Sequence, residues 1–488
     1  MIRCKRLRVS RLLSRAGWAV LAVNAVACSE WSAEPAVTEP AALREGAAEP
    51  AANILLISID TLRADHLHAY GYDRRTSPAI DRMAQEGVRF ADVVAASSWT
   101  LPGHATMLTG LDPASHGVVA FRGDSSLPGE VEMLAERFAA AGFRTAAFAG
   151  GGWVSSRQGF DRGFERFRSA EQTFRFSGRL KRAVRNAWNW ISRHRNERFF
   201  FFLHTYQVHM PYKPPRPYDR MFDRGLTGPK RRSLPFGALS TWARDGVKNR
   251  AVAAQIRKLY DGEIRFVDLW IGKLLGWLRS SGLDRRTCVL LTSDHGEAFG
   301  EHGDFFHDRA KLFQEVTSVP LLVWCPGRLE GGRVVESPVG VVDVAPTALE
   351  LAGLPVPDDL DGVSLVSQLR GDVVPPGRVL LSDVDLSVER PLLSNHDPEP
   401  GFVLGLRRGS YKLIYRSTDG SRQLYDLASD PSESENLVLL RPDVLADFEA
   451  PLAAAIERRR SLPEASVARP EAANPGFIEE LRALGYVE

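Results

Sequence analysis

The sequence predicts an α/β fold, with a large, mostly parallel central sheet flanked by helices and a small antiparallel sheet subdomain at the carboxyl terminus. Several strand-length runs are apolar at consecutive positions, as a strand buried on both faces of a parallel sheet requires. Helical patterns separate these runs, which is the alternating order of an α/β sheet. After Gly362 the runs become short and are separated by turns, which indicates the antiparallel sheet.

The predicted elements follow one another in order from residue 53. The first strand, 53–60, is a nearly unbroken apolar run that ends in a carboxylate. Ser77-Pro78 begins a helix that Gly87 ends, because Ser is a favoured cap and Pro suits the first helical position. The elements that follow are helix 102–110, helix 130–141, strand 145–148, strand 199–203, helix 251–280, strand 287–292, strand 320–325 and helix 343–352. The carboxyl-terminal elements are strands 378–383, 402–407, 411–415 and 423–426 and a helical tail over 438–488.

The amino-terminal segment 1–28 has the pattern of an export signal. It begins with six basic residues and no acid, continues with the apolar stretch 16–23, and ends with small residues before Cys28. Cys28 makes it similar to a bacterial lipoprotein signal, whereas Ala25 stands where Leu is more usual, so ordinary cleavage after Ala27 is the alternative. We therefore expect an exported protein, periplasmic or at the cell surface, for which a lipid anchor at Cys28 is one of these two alternatives and the one route of membrane attachment.

The rest of the chain divides into an Ala/Glu/Pro-rich linker (29–52), a large sheet domain (53–362) and the carboxyl-terminal subdomain with its tail (363–488). Of 488 residues, 44% are hydrophobic, which excludes global disorder. The net charge is +2, but the signal holds six positive charges, so the remainder carries −4. This mildly acidic body argues against a nucleic-acid partner.

Cys288 and Cys325 both lie in apolar runs. Buried free thiols are the preferred prediction for them, rather than a disulfide, and no cysteine-based metal site is apparent.

Two predicted strand ends carry groups that bind cations. Asp60 ends the first strand, and Asp294-His295 follows strand 287–292. In open α/β sheets the functional crevice lies beyond the carboxyl ends of the strands, so these side chains are expected to converge. Two carboxylates and an imidazole suit one divalent cation, although a strand-end Asp that caps a helix is the ordinary alternative.

Thr100 lies at the mouth of the helix that Pro102 is predicted to begin. Free backbone N–H groups and the helix dipole favour an anion there. A hydroxyl bound to a cation loses its proton more easily and becomes a nucleophile. The alternative is that Thr100 is a simple helix cap.

Several motifs in order along residues 53–437 resemble the sulfatase family, of the alkaline-phosphatase-like superfamily. They are N-I-L-L-I-S-I-D (53–60), T-L-P-G-H…L-T-G (100–110), V-H-M-P-Y (208–212), T-S-D-H-G-E (292–297), V-P-L-L-V-W-C-P-G (319–327), D-V-A-P-T-A-L-E-L-A-G (343–353), Y-K-L-I (411–414) and L-Y-D-L-A-S-D-P-S-E-S-E-N-L (424–437). The resemblance implies a metal-dependent ester hydrolase, with 53–362 as its catalytic domain.

The chain departs from the family pattern at four places. Thr100 stands where sulfatases have a Cys or Ser that is oxidised to formylglycine, and its β-methyl group forbids that aldehyde, so no formylglycine is expected. His104 replaces an Arg, Asp60-Thr61 replaces a pair of acids, and His307 replaces a Lys. A Thr nucleophile with Asp and His ligands is similar instead to superfamily members that transfer phosphoryl groups, such as lipoteichoic acid synthases and phosphoethanolamine transferases.

These observations predict that Asp60, Thr100, Asp294 and His295 hold one divalent metal ion. The histidine ligand favours Mn²⁺ or Zn²⁺, with Ca²⁺ or Mg²⁺ as alternatives. A second metal would need more ligands, for which Glu301 and His302 are the candidates. His209 and His307 are the candidate acids for the leaving group, because histidine titrates near neutral pH.

His104 is predicted to stabilise the equatorial oxygens of the ester. An ordinary hydrogen-bonded histidine is the alternative for His104, His204 and His302. The expected reaction is hydrolysis of phosphoric or sulfuric esters through a covalent Thr ester, with phosphoric esters favoured. An acceptor alcohol in place of water would make the enzyme a phosphoryl-group transferase.

Two alternatives remain at this point, an arylsulfatase-like enzyme that acts without formylglycine and a non-catalytic member that binds anionic glycans. The substrate is expected to be an ester of a small molecule, a glycan or a lipid headgroup.

Overall fold

The computed structural model describes residues 53–119, 125–169, 176–226, 230–234, 250–307, 311–372, 377–386 and 400–462. The predicted export signal, Cys28, the linker 29–52 and the last part of the helical tail lie outside the described residues. The predicted boundary at residue 362 stays a prediction.

The secondary structure of the described residues alternates between strands and helices. The strands are β1 (Asn53–Ile59), β2 (Val88–Phe90), β3 (Val93–Val94), β4 (Arg144–Ala149), β5 (Arg166–Ser169), β6 (Phe199–Thr205), β7 (Thr287–Thr292), β8 (Ala298–Phe299), β9 (Phe305–Phe306), β10 (Leu321–Trp324), β11 (Arg333–Val335), β12 (Val339–Gly340), β13 (Leu380–Asp385), β14 (Phe402–Arg408), β15 (Tyr411–Arg416) and β16 (Arg422–Asp426). The helices are α1 (Pro78–Glu86), α2 (Thr100–Thr109), α3 (Pro113–His116), α4 (Leu134–Ala140), α5 (Phe176–Arg193), α6 (Tyr218–Met221), α7 (Arg250–Ser280), α8 (Gln314–Thr317), α9 (Val344–Leu351), α10 (Val366–Arg370) and α11 (Pro442–Arg460). Within the described ranges, none of these helices has the length and apolar character needed to span a bilayer.

The central sheet has eight strands in the spatial order β11-β2-β10-β7-β1-β6-β4-β5. Strand β10 is antiparallel to both of its neighbours, and every other pairing in this sheet is parallel. The predicted large, mostly parallel sheet is therefore confirmed. In register, Ser58 of β1 lies opposite His204 of β6 and Thr292 of β7, so these three strands end at the same edge of the sheet.

The central strands are buried at every position, which explains their continuous apolar sequence. Alternate side chains enter two separate apolar clusters, one on each face: Ile54 and Leu56 on one side, Leu55 and Ile57 on the other. Helices α2, α4 and α9 contribute to the first cluster, and α1, α5 and α7 contribute to the second. Burying each large aliphatic side chain contributes about 1.5–3 kcal/mol.

The carboxyl-terminal sheet is a four-stranded antiparallel sheet in the order β13-β14-β15-β16, as predicted. Helix α11 packs Val444, Phe448 and Leu452 into its apolar cluster. This helix accounts for the first part of the predicted helical tail.

Three helix starts differ from the sequence prediction by two residues or more: those of α2, α4 and α11, the last of which begins at Pro442 rather than at residue 438. Helix α2 begins at Thr100 rather than at Pro102, because Pro is tolerated anywhere in the first turn, where its missing N–H is not needed. Helix α4 begins at Leu134 rather than near residue 130. The first difference matters, since it makes Thr100 the first helical residue.

The prediction that Cys288 and Cys325 are free thiols is wrong. The two residues form a disulfide, with their Cα atoms 4.4 Å apart. Strands β7 and β10 are antiparallel neighbours with Val289 opposite Trp324, and this register places Cys288 opposite Cys325. The sequence indicated that both residues are buried, but not that the two strands pair across 37 residues of chain.

Removing this disulfide should weaken the fold. The bond closes a loop of 37 residues, so the Cys288→Ala/Cys325→Ala variant is expected to lose about 2–4 kcal/mol of stability. Guanidinium unfolding of the oxidised protein and the variant measures the difference. Intact-mass analysis after alkylation under denaturing conditions is the control, and two alkylated thiols at these positions in the untreated protein would contradict the pairing.

Candidate active site

Ligand-type side chains from two strand ends meet at one edge of the central sheet. Asp60 directly follows β1, and Asp294 and His295 follow β7 by one residue. One ligand atom from each of the three residues lies within 4.8 Å of the other two, and all three residues are fully buried. The structure thus brings together the residues that the sequence singled out.

Helix α2 points its amino terminus at this group. The Thr100 hydroxyl lies 3.5 Å from His295 Nε2. The close approach depends on Gly103, since a Cβ there would lie only 3.0 Å from the Cβ and from the carbonyl oxygen of Asp294. In this first turn Pro102 has no N–H and the N–H of Gly103 donates to the carbonyl oxygen of Trp99 at 3.3 Å, so what α2 offers an anion beside Thr100 is the positive end of its dipole.

Thr61 stands where a second acid would follow Asp60, and it contacts the site through its backbone. Its backbone is left-handed, with φ 58°, and its N–H donates to Asp294 Oδ1 at 3.3 Å. Its carbonyl accepts from the Tyr260 hydroxyl at 2.7 Å, which holds the turn in place. Position 61 therefore orients Asp294 through its backbone rather than offering a carboxylate.

The two carboxylates fit a divalent cation. Among the described residues, neither oxygen of Asp60 nor Oδ2 of Asp294 has a hydrogen-bond partner of normal geometry. Burial raises the pKa of Asp60, and the neighbouring Asp294 and Glu297 raise it further. Burial also acts to raise the pKa of Asp294, but His295 and His104 outweigh it, so that this pKa is lowered. Unpartnered, buried carboxylates are costly unless a positive charge compensates them.

His295 has the orientation expected of a metal-binding histidine. Its Nδ1 donates to the carbonyl oxygen of Gly296 at 2.9 Å, which leaves the lone pair on Nε2, the nitrogen nearest Thr100. The residues present therefore fit a cation held by Asp60, Asp294 and His295.

His209 and His307 lie beside this group. The ring of His307 is 4.8 Å from that of His295 and 4.9 Å from that of His209. Burial lowers the pKa of His209 to about 3, and the nearby His307 contributes. Both predicted candidates for the leaving-group acid are thus next to the metal-ligand group, at distances that only the fold determines.

Glu297 was missed as a functional residue by the sequence interpretation, although its motif was noted. Its carboxylate is fully buried and receives His307 Nδ1 on Oε1 and the Tyr212 hydroxyl on Oε2, each at 2.8 Å. Burial raises the pKa of Glu297 to about 7. An acid two residues after His295 was the available signal, but its pairing with His307 needs the loop geometry.

His104 and His204 lie next to the carboxylates of Asp294 and Asp60, respectively. His104 contacts Ser58 Oγ and the carbonyl oxygen of Thr100, each at 2.9 Å. His204 Nε2 is 3.5 Å from Asp60 Oδ2. With Asp60, these two histidines form a second group of ligand-type atoms within 4.8 Å of one another.

Glu301 and His302, the sequence candidates for a second metal, belong to neither group of ligand-type atoms found among the described residues. Glu301 pairs with Arg63 at 3.0 Å, and His302 stacks on Phe313 and bonds to Glu315 at 2.8 Å.

Comparison with known proteins places these features in a family context. The family model for sulfatases matches residues 52–354. An arylsulfatase of Clostridium perfringens is 24% identical over 454 residues, covering 79% of this chain and 90% of the relative. The N-acetylgalactosamine-6-sulfatase of Rattus norvegicus is 27% identical over 374 residues, 70% of each chain.

Solved structures share the fold. A protein in complex with its substrate D-glucosamine-2-N,6-O-disulfate superposes with a TM-score of 0.69 and 20% identity, over 86% of this chain and all of that one. A phosphonate monoester hydrolase from Silicibacter pomeroyi gives a TM-score of 0.66 and 21% identity, over 85% and 96% of the two chains.

Enlarging Gly296 should displace His295. A Cβ at position 296 would overlap the carbonyl oxygen of Glu315, which is backbone and cannot rotate away. We expect Gly296→Ala to cost about 1–3 kcal/mol of stability and to weaken Mn²⁺ binding, measured by thermal unfolding and calorimetric titration. The control is Gly276→Ala on α7, where a Cβ meets nothing within 4 Å. Equal behaviour of both variants would contradict the packing argument.

Proposed function

The chain belongs to the sulfatase family of ester hydrolases, and from this premise we propose that it cleaves phosphoric or sulfuric esters with Thr100 as the nucleophile, phosphoric esters being preferred. The observation that carries the proposal is the position of the Thr100 hydroxyl. It belongs to the first residue of α2 and lies 3.5 Å from His295 Nε2, beside two buried carboxylates.

We assign Asp60, Asp294, His295 and the Thr100 hydroxyl as the residues that hold one divalent cation. When bound, the cation lowers the pKa of the Thr100 hydroxyl and offsets the negative charge of the ester. Both oxygens of Asp60 and Oδ2 of Asp294, which have no hydrogen bond of normal geometry among the described residues, support this set of ligands. A mixed carboxylate and imidazole set favours Mn²⁺ or Zn²⁺ over Ca²⁺ or Mg²⁺.

The reaction proceeds in two displacements at the same atom. Thr100 Oγ1 gives up its proton and forms a bond to phosphorus or sulfur, while the bond to the ester oxygen breaks and that oxygen leaves with the electron pair and takes up a proton to become the alcohol. Water then attacks phosphorus or sulfur, the bond to Thr100 Oγ1 breaks, inorganic phosphate or sulfate leaves, and a proton from the water restores the hydroxyl. The positive end of the α2 dipole favours the anion in both steps.

The departing oxygen needs a proton, and His307 is the group best arranged to supply it. Glu297 holds His307 Nδ1 at 2.8 Å, and Tyr212 holds the other oxygen of Glu297, so the ring has one orientation, 4.8 Å from the ring of His295. His209 is 4.9 Å from His307 between ring centroids and is the second candidate.

The preference for phosphoric esters follows from the nucleophile. A Thr sulfate ester must be hydrolysed by direct attack, whereas a Thr phosphate ester is a workable intermediate. Structural neighbours include phosphonate monoester hydrolases as well as sulfatases, which supports activity on phosphorus. Sulfuric esters of glycans are the second candidate, since curated relatives include N-acetylgalactosamine-6-sulfatases.

We also propose that the protein is exported. The disulfide between Cys288 and Cys325 supports export, because such bonds persist mainly in oxidising compartments.

Removing the nucleophile should abolish turnover. With Mn²⁺-reconstituted protein, Thr100→Ala is expected to lower kcat for p-nitrophenyl phosphate by about 10³-fold or more, while Thr100→Ser keeps a hydroxyl and retains measurable activity. Mass spectrometry of quenched reactions should find phosphate on Thr100.

The same assay with p-nitrophenyl sulfate decides the substrate class, and we expect faster turnover of the phosphate. Full activity in Thr100→Ala would overturn the mechanism, and a strong preference for sulfate would reject the phosphorus preference alone. Cation binding with no turnover of either ester would indicate a non-catalytic glycan-binding protein.

The leaving-group proton gives a separate prediction. His307→Ala is expected to lower kcat/KM by about 10²-fold or more for alkyl phosphates, whose alkoxides are poor leaving groups, and much less for p-nitrophenyl phosphate. His209→Ala, measured in parallel, distinguishes the two histidines. An equal loss on all leaving groups would assign His307 to binding rather than to proton transfer.

A further inference from the structure

Two buried histidines next to the carboxylates have no role in the function proposed above. His204 is the second-last residue of β6 and His104 lies one turn into α2; both are at most 1% exposed. Their rings meet edge to face with centroids 4.6 Å apart. Because they form a second group of ligand-type atoms with Asp60, they either bind a second cation or serve the carboxylates as donors.

The hydrogen bond to His204 Nδ1 decides its proton position. The backbone N–H of Gly150 donates to Nδ1 at 3.1 Å, so the lone pair of this nitrogen faces Gly150. In a neutral imidazole the proton is then on Nε2. Nε2 faces Asp60 Oδ2 at 3.5 Å and has no closer hydrogen-bond partner among the described residues. A nitrogen that carries a proton cannot coordinate a cation.

The contacts of His104 also determine which of its nitrogens carries the proton, and they leave neither nitrogen for a cation. Its Nδ1 lies 2.9 Å from the carbonyl oxygen of Thr100, which can only accept, so Nδ1 carries the proton. Asp294 Oδ2 lies 3.3 Å from this same nitrogen. The lone pair on Nε2 is taken by the Ser58 hydroxyl at 2.9 Å.

We propose that His204 and His104 are positioning residues of a single-cation site: the N–H of His204 faces Asp60 Oδ2, and the N–H of His104 is shared between the Thr100 carbonyl and Asp294 Oδ2. The proposal rests on the cation assigned above. The charges agree with it, since the two carboxylates neutralise one divalent cation, whereas a second cation would leave excess positive charge in a buried site. Donors of this kind orient metal ligands, and their loss weakens metal binding.

Cation stoichiometry distinguishes the two roles of these histidines. Metal-free protein is titrated with Mn²⁺ by calorimetry, and the bound metal is counted by elemental analysis after dialysis. We expect one Mn²⁺ per chain in the wild type, in His204→Leu and in His204→Gln. Two Mn²⁺ in the wild type and one in His204→Leu would overturn the proposal in favour of a second cation.

Mn²⁺ affinity tests the donor itself. His204→Leu removes the N–H and should raise the Kd about 10–100-fold. His204→Gln places an amide N–H near the position of Nε2 and should recover most of the affinity. The matched control is His116→Leu, which removes an equally buried histidine whose partners are Thr106 and the N–H of Val118 rather than a carboxylate.

The outcomes separate this inference from the proposed function. If the wild type binds no Mn²⁺, the proposed function fails and the inference fails with it. If the wild type binds one Mn²⁺ and His204→Leu binds it with unchanged Kd, only the inference fails. If His204→Leu does not fold, as judged by circular dichroism of the metal-free protein, His204→Gln still reports stoichiometry, and two Mn²⁺ in the wild type would still overturn the proposal.

Discussion

The parallel pairing of β1 with β6 and β7 is the constraint on which the site depends. Because parallel strands end at the same edge, this register carries Asp60, His204 and Asp294 to one place from positions up to 234 residues apart. The apolar clusters on both faces hold the register, since a slip of one residue would exchange the side chains of the two faces. The electrostatics of the site therefore rest on a framework that contains no charge.

That framework places two carboxylates where water does not reach. Burying them costs free energy, and the surrounding polar groups are positioned to compensate it. Thr61 supplies a backbone N–H from a left-handed conformation, His295 turns its lone pair inward, and Glu297 orients His307. Second hydrogen bonds, made on the side away from the carboxylates, hold these groups in place. Such bonds give buried polar groups a single orientation. The departures from the sulfatase pattern at positions 61, 104 and 307 all lie within this network, so a change at one of these positions affects the surroundings of the others.

Sequence reasoning succeeded where a pattern is local. Continuous apolar runs identified β1, β6 and β7, and Asp60 and Asp294-His295 at their ends indicated a site that the fold does assemble. It failed where distant strands or loops meet. Cys288 and Cys325 pair because β10 runs antiparallel beside β7, and Glu297 contacts His307 because the loop between them folds back. Neither relation leaves a periodic signal in the chain.

The amino-acid sequence by itself determined the α/β class, the elements and the residue types at the strand ends, since hydrophobic period and chain order are local properties. Only the tertiary structure decided which nitrogen of each histidine carries the proton, because that depends on the acceptor or donor on each side of the ring. For His204 that neighbour is the N–H of Gly150, and for His104 it is the carbonyl of Thr100. The histidines of one chain can thus have different roles at the same site, and the reason is the hydrogen bond that the fold supplies to each.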